Sequence, residues 1–206
     1  MQHTRTHHIV VGRPASGYTI LELLVTLAIV ALLAAATVPS LQDIVTRNAR
    51  DSGMQDLMTA IAGTRSEAVT RAASVALCRS VDASACAAST NGDWKDGWLV
   101  FQDAGTAGVV DGSDQIVLVH PALNGQNAIR IRTGSGANIS GDYLRFSPEG
   151  FLQDPDNGAY FKFCDAANAP GNARAIWVGN AGRAALSVDD ADGIHNDMAG
   201  VDLVCP

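Results

Sequence analysis

Between Tyr18 and Val38 every residue except one is apolar, small or hydroxylic: YTILELLVTLAIVALLAAATV. About 20 such residues suffice to cross a hydrocarbon core of ~30 Å, so this stretch forces one part of the chain out of water. The exception is Glu22, and a carboxylate in such a run costs on the order of 2–3 kcal/mol or more. Two ordinary organisations accommodate the run. As a cleaved secretory signal it has Arg5 and Arg13 in the basic region, Leu23–Leu33 as the apolar core and Ala34-Ala35-Ala36 as the small-residue site. As a plain anchor, the same two arginines hold the N-terminus in the cytoplasm and send the rest outward. Both leave Glu22 as a defect to be tolerated.

Beyond the run, 206 residues leave room for one globular domain. Met54, Leu57, Met58, Ile61, Ala68, Val69 and Ala72 follow 3/4 spacing, opposite Asp51, Gln55, Asp56, Arg65, Glu67 and Arg71. Thr19 to about Ala73 therefore reads as one helix of roughly 80 Å, apolar all round in its first half and amphipathic in its second. Pro39 predicts a kink, and Gly53 and Gly63 are weak points. From Ala73 the period shortens. Apolar runs at Ser74–Arg79, Gly97–Gln102, Gln115–His120, Ala128–Arg132, Tyr143–Phe146, Ala159–Cys164, Arg174–Val178 and Arg183–Val188 alternate with Gly, Asn, Asp and Pro clusters. That spacing predicts an antiparallel sheet domain, with Ile129 and Ile131 on a buried face and Arg130 and Arg132 on a wet one.

The stretch GYTILELL resembles the processing site of type IV prepilins and type II secretion pseudopilins. The resemblance implies cleavage after Gly17 by prepilin peptidase, which then methylates the new N-terminal Tyr18, where phenylalanine is usual. It places the family's glutamate, the fifth mature residue, at Glu22 and its proline at Pro39. Cleavage creates a cationic amine, and a carboxylate from a neighbouring subunit can compensate it; the family role implied for Glu22 is to guide register during assembly. A narrower resemblance is to the GspH/FimT branch of minor pilins and pseudopilins. It is carried by Gly63–Arg71 (GTRSEAVTR), Trp94–Phe101 (WKDGWLVF), Leu144–Gly150 (LRFSPEG), Cys164 and Gly182-Arg183.

The branch implies an α+β, type IV pilin-like fold. Its expected parts are a leader at 1–17, a transmembrane and assembly half-helix at 18–39, an amphipathic half at 40–73 and a periplasmic β-rich head at 74–206. It implies a single-pass inner-membrane protein, cytoplasmic N-terminus and periplasmic head, that later enters a fibre. The implied partners are other minor and major pilins or pseudopilins, the prepilin peptidase and the inner-membrane assembly platform. The same processing and spine serve both the type IV pilus and the type II secretion apparatus.

Nothing in the head points to catalysis or a cofactor. The mature chain keeps only His120 and His195, with no nucleophile elbow. Asp103, Asp111 and Asp114, and Asp189, Asp190, Asp192 and Asp197, lack EF-hand spacing and read as turn residues rather than calcium ligands. A formal charge of −7 gives no general pull toward nucleic acid. DNA uptake is nevertheless the alternative function, because some FimT-type pilins use a Gly-Arg-x-Arg motif. Here Gly182-Arg183-Ala184-Ala185 lacks the second arginine, leaving Arg174 and Arg183, with Arg130, Arg132 and Arg145 as a separate stripe. Four cysteines fit two disulfides, with a zinc site as the weaker reading since no CxxC occurs. A local Cys78–Cys86 bridge with Cys164–Cys205 is one of three connectivities.

Overall fold

The computed structural model describes residues 17–87, 93–112, 114–123, 128–133, 142–155, 158–164, 170–189, 193–197, 200–203 and 205; side chains at 36–43, 128, 130–133 and 170 lie outside that description. The chain divides into two compact units, Met1–Asp43 and Ile44–Pro206. α1, Ile20–Arg71, contributes to both. Of the expected leader at 1–17 only Gly17 is among the described residues; α1 continues through Pro39, and the side chains of Pro39, Arg130, Ile131 and Arg132 lie outside the description.

In the first unit α1 is unbroken, and every large apolar side chain from Ile20 to Leu33 is more than half exposed. In the second unit α1 buries one stripe, Met54, Leu57, Ile61 and Ala68, in the main core. The sequence extends that stripe to Val69 and Ala72, but both are exposed. The helix ends earlier because Ala72 takes a left-handed conformation (φ 49°). The Ala72 N–H donates to Val69 O (3.3 Å) and the Ala73 N–H to Ala68 O (3.2 Å), the paired bonds of a Schellman motif.

Among the described residues nine strands form two antiparallel sheets. The first has five strands in the order β3 (Gln115–His120), β2 (Trp98–Gln102), β1 (Val75–Arg79), β5 (Tyr143–Phe146) and β6 (Leu152–Asp154). The second runs β4 (Ala128–Thr133), β7 (Ala159–Cys164), β8 (Arg174–Val178) and β9 (Ala184–Leu186). The architecture is α+β, a helix packed on antiparallel sheet. Both sheets and α1 share one core, where Val75, Leu77, Trp98 and Val100 meet Phe161, Phe163, Ile176 and Val178.

The other face of the first sheet is dry as well: Ala76, Cys78, Leu99 and Phe101 are fully buried beneath Cys86, Val110 and Tyr143. Central β1 is thus buried along its whole length. The simple wet-and-dry alternation fails here because the loops after β1 and β2 fold back over the sheet.

Candidate functional site

Two parts of the chain carry residues singled out by the sequence. The first is the start of α1. Gly17 is exposed with open space where a side chain would stand, and Tyr18 is 88% exposed. Thr19 caps the helix: its Oγ1 accepts the Glu22 N–H (3.2 Å) and its carbonyl accepts the Leu23 N–H (3.2 Å). Glu22 therefore sits in the first turn, where the helix dipole favours a carboxylate by about 0.3–1 kcal/mol. Thr19-Ile20-Leu21-Glu22 has the T-x-x-E spacing of a capping box, the signal that sequence reasoning passed over. The carboxylate is exposed, within reach of another molecule. Around it stands the uncovered apolar surface of Ile20–Leu33, far more than an isolated soluble surface tolerates. Among the described residues no helix is long and apolar enough to cross a membrane; side chains at 36–38, the end of the run, lie outside the description.

The second part joins the motif fragments of the head. Arg65 on α1 donates from Nε to Gly150 O (2.9 Å), at the end of the LRFSPEG stretch. Gly150 has φ 81°, and a β-carbon there would meet Val69 and Arg65 at 3.0–3.2 Å. Gly182 has φ 72°, and its β-carbon would lie 2.3 Å from Gly150 O and 3.0 Å from Arg65 Nε. Three fragments distant in sequence therefore close on one carbonyl. The Trp94 motif makes a second joint. It opens as a 3-10 turn, Trp94–Asp96, rather than as strand. The buried indole N–H donates to Asp142 Oδ1 (3.2 Å), and Arg79 Nε donates to Asp142 Oδ2 (3.2 Å). The Trp94 ring meets Phe161 of the other sheet edge-on, with centroids 4.8 Å apart. Arg145 Nε donates to buried Asp103 Oδ2 (3.0 Å), and burial pushes the Asp103 carboxyl above its ordinary pKa.

The two arginines considered for DNA are not brought together. Arg174 begins β8 and donates from NH1 to Gly171 O and Ala173 O (2.8 and 2.7 Å); burial, then Arg50, lowers its pKa. Arg183 precedes β9 opposite Gly179, so about 16 Å of strand separates them. Arg183 is exposed. Arg145 is held by Asp103 and by Gln153 Oε1 (3.0 Å).

Cys78 is bonded to Cys86 and Cys164 to Cys205, and the latter bridge ties the last residues to β7. Asp111 and Asp114 accept backbone N–H groups of their own loop, as do Asp189 from Gly193 and Asp197 from Val201. Asp190 and Asp192 lie outside the described residues. Among the described residues no group of three or more His, Cys, Asp or Glu side chains could hold a metal ion. His195 Nδ1 lies 2.9 Å from Ser187 Oγ and 2.9 Å from Ser187 O. Burial, then Arg174, lowers its pKa, and no carboxylate hydrogen-bonds its ring among the described residues. His120 stacks on Trp98 at the end of β3.

Comparison with known proteins agrees with this fold. The family profile described as type II transport protein GspH matches residues 54–182, and the prokaryotic N-terminal methylation motif matches residues 12–38. Among curated protein sequences there is no match. The chain is similar in fold to a crystal structure of the type IV minor pilin FimU of Pseudomonas aeruginosa, at 19% identity over 69% of this chain and 90% of that one, with a TM-score of 0.52. A second crystal form of FimU aligns at 18% identity over 67% and 92%, with a TM-score of 0.47.

Proposed function

The chain belongs to the GspH family of type II transport proteins, and on that footing we propose that it is a minor pilin or pseudopilin, a structural subunit of a type IV pilus or type II secretion pseudopilus. The observation that carries the reading is the start of α1: a capped helix with an exposed carboxylate in its first turn and an unpartnered apolar surface from Ile20 to Leu33. That surface needs lipid before assembly and other helices after it. The order of events follows. The precursor sits in the inner membrane with residues 1–17 cytoplasmic and residues 74–206 periplasmic, where an oxidising environment suits both disulfides. The peptidase cuts after Gly17 and methylates Tyr18. The assembly platform then draws the 18–39 segment into a bundle of pilin helices, with 40–73 carrying the head. Glu22 meets the Tyr18 amine of a neighbouring subunit, so that two charges costly in an apolar bundle offset each other.

The test separates charge from capping. Glu22→Gln keeps the hydrogen-bonding shape at the third helical position and removes the charge. In the native host it should enter the membrane normally, yet reach the sheared filament fraction at least ten-fold less than wild type. Wild-type incorporation of that variant would refute the pairing. Gly17→Ala should leave the leader attached, seen as a heavier chain by mass spectrometry; an unchanged mass would put the cut elsewhere.

A further inference from the structure

A cavity of about 390 Å³ opens between α1 and the second sheet, lined on one side by Arg50, Met54 and Met58 and on the other by Arg174, Leu186 and His195. Arg50, whose side chain is 8% exposed, donates from NH1 to Asn172 O (2.9 Å) and pairs with Asp51 through Nε and NH2 (2.9 and 2.8 Å). Arg174 uses NH1 on two carbonyls, Gly171 O and Ala173 O, and its Nε and NH2 have no hydrogen bond among the described residues. His195 is anchored through Nδ1. The Ser187 carbonyl 2.9 Å away can only accept, so Nδ1 carries the proton, and Nε2 has no partner among the described residues.

Every element around the cavity brings charge, and the cations prevail. α1 supplies Arg47, Arg50 and Asp51, β8 supplies Arg174, and the segment after β9 supplies Asp189 and His195. Asp51 is already engaged by Arg50, and Asp189 accepts the Gly193 N–H (3.1 Å). Burial, then Arg50, holds the Arg174 pKa down, and burial, then Arg174, does the same for His195. Positive charge here lacks compensation, and a half-buried guanidinium with open donors is costly until an anion meets it.

The donors arrive from three elements, which selects the anion. One guanidinium fork satisfies a planar carboxylate, whereas a tetrahedral phosphate offers oxygens in several directions and more than one charge. Met54, Met58 and Leu186 leave an apolar wall beside the cations, with Leu186 52% exposed, where an uncharged body attached to the phosphate fits. We propose that this cavity binds a phosphate group, held by Arg174 Nε and NH2, with Arg50 behind them and His195 Nε2 sharing a proton with it. The phosphate is the free anion or the headgroup of an anionic phospholipid. The site stands on the cavity and not on the filament reading, which its failure would leave untouched.

The test uses the full chain in a non-ionic detergent, with the histidine rings followed by NMR and sodium chloride holding the ionic strength constant. The probes, in separate arms, are inorganic phosphate and dihexanoyl phosphatidylglycerol. A bound anion favours the protonated ring, so the His195 titration midpoint should rise by roughly half a pH unit or more, while His120, outside the cavity, stays in place. A response to the lipid at ten-fold lower concentration identifies a headgroup site, and an equal or stronger response to inorganic phosphate identifies the free anion; either supports the site. Arg174→Gln should weaken the response at least ten-fold. Because Arg174 also holds two carbonyls, Arg47→Glu is the second variant. Arg47 is exposed, and the substitution reverses a charge that acts on Arg174; it should weaken the response several-fold at an unchanged melting temperature. A His195 midpoint indifferent to both probes, a His120 shift of equal size, or a response that survives both substitutions overturns the site.

Discussion

Gly182→Ala tests whether the joint around Gly150 holds the head together. An alanine there must adopt φ 72°, which costs an L-residue roughly 1–2 kcal/mol. Its β-carbon would stand 2.3 Å from the Gly150 carbonyl oxygen, a backbone atom that cannot turn aside. Relief requires the Ser147–Gly150 turn to shift, and that turn is held by the Arg65 Nε bond to the same oxygen. Losing a bond from a charged donor costs about 1.5–3 kcal/mol. The sum, about 2.5–5 kcal/mol, is a large part of the ~5–15 kcal/mol that stabilises an ordinary domain. At ~2–4 °C per kcal/mol for a chain of this size, the melting temperature should fall by on the order of 10 °C. The assay is thermal unfolding of the full chain in detergent, followed by near-ultraviolet dichroism of buried Trp94 and Trp98. Gly179→Ala, where a β-carbon meets nothing within 4 Å, is the control. In an Arg65→Ala background the Gly182→Ala cost should shrink, because the bond is already gone. Melting of Gly182→Ala within 2 °C of wild type, or full additivity with Arg65→Ala, would refute the reasoning.

Ala72→Gly should act oppositely, because Ala72 holds φ 49° at the helix end with exposed surroundings; relief of that strain should add about 0.5–1 kcal/mol in denaturant unfolding. Asp103 gives a pH signature. Its folded-state pKa is raised above 3.8, chiefly by burial, so its contribution is fully present below pH 3.8 and is lost as pH rises through the folded value. Wild-type stability measured relative to Asp103→Asn should therefore decline from acid toward neutral pH, and a flat or rising difference would count against the burial account.

Most of the fold was legible because strand signals in this head are local. β3, β5, β7 and β8 match the apolar runs between turn residues to within a residue. β6 was not legible: it is three residues long and follows an exposed Phe151, so alternation has no length in which to show. Nor was the division into two sheets, since strand signals do not say which strand pairs with which. The apolar stripe of α1 misleads at Ala72 because a left-handed residue ends the helix where periodicity alone would continue it, while Val69, still within the helix, stays half exposed beside Gly150. At the start of α1 the charge of Glu22 stands out in the sequence more than the cap, although both lie in Thr19–Glu22. In the head, Gly182-Arg183 matches the first half of a Gly-Arg-x-Arg motif. Its structural reason is contact with Gly150 and Arg65, and Arg65 itself reaches 85 residues along the chain to Gly150. No window of sequence contains that joint.

The motif residues of the head share a physical role that explains why they suggest a family without suggesting a reaction. Arg65, Gly150 and Gly182 close the helix onto the turn after β5 and the turn before β9. Trp94, Arg79 and Asp142 hold the 3-10 turn against the first sheet, while the Trp94 ring reaches Phe161 in the second. Asp142 is nearly buried with its partners, and removing any one would leave an uncompensated polar or charged group, typically several kcal/mol worse than removing all together. Such joints fix how helix and sheets meet, and that geometry is what a filament subunit presents to its neighbours. A head held rigid by such joints suits a structural subunit, whose work is to keep one geometry.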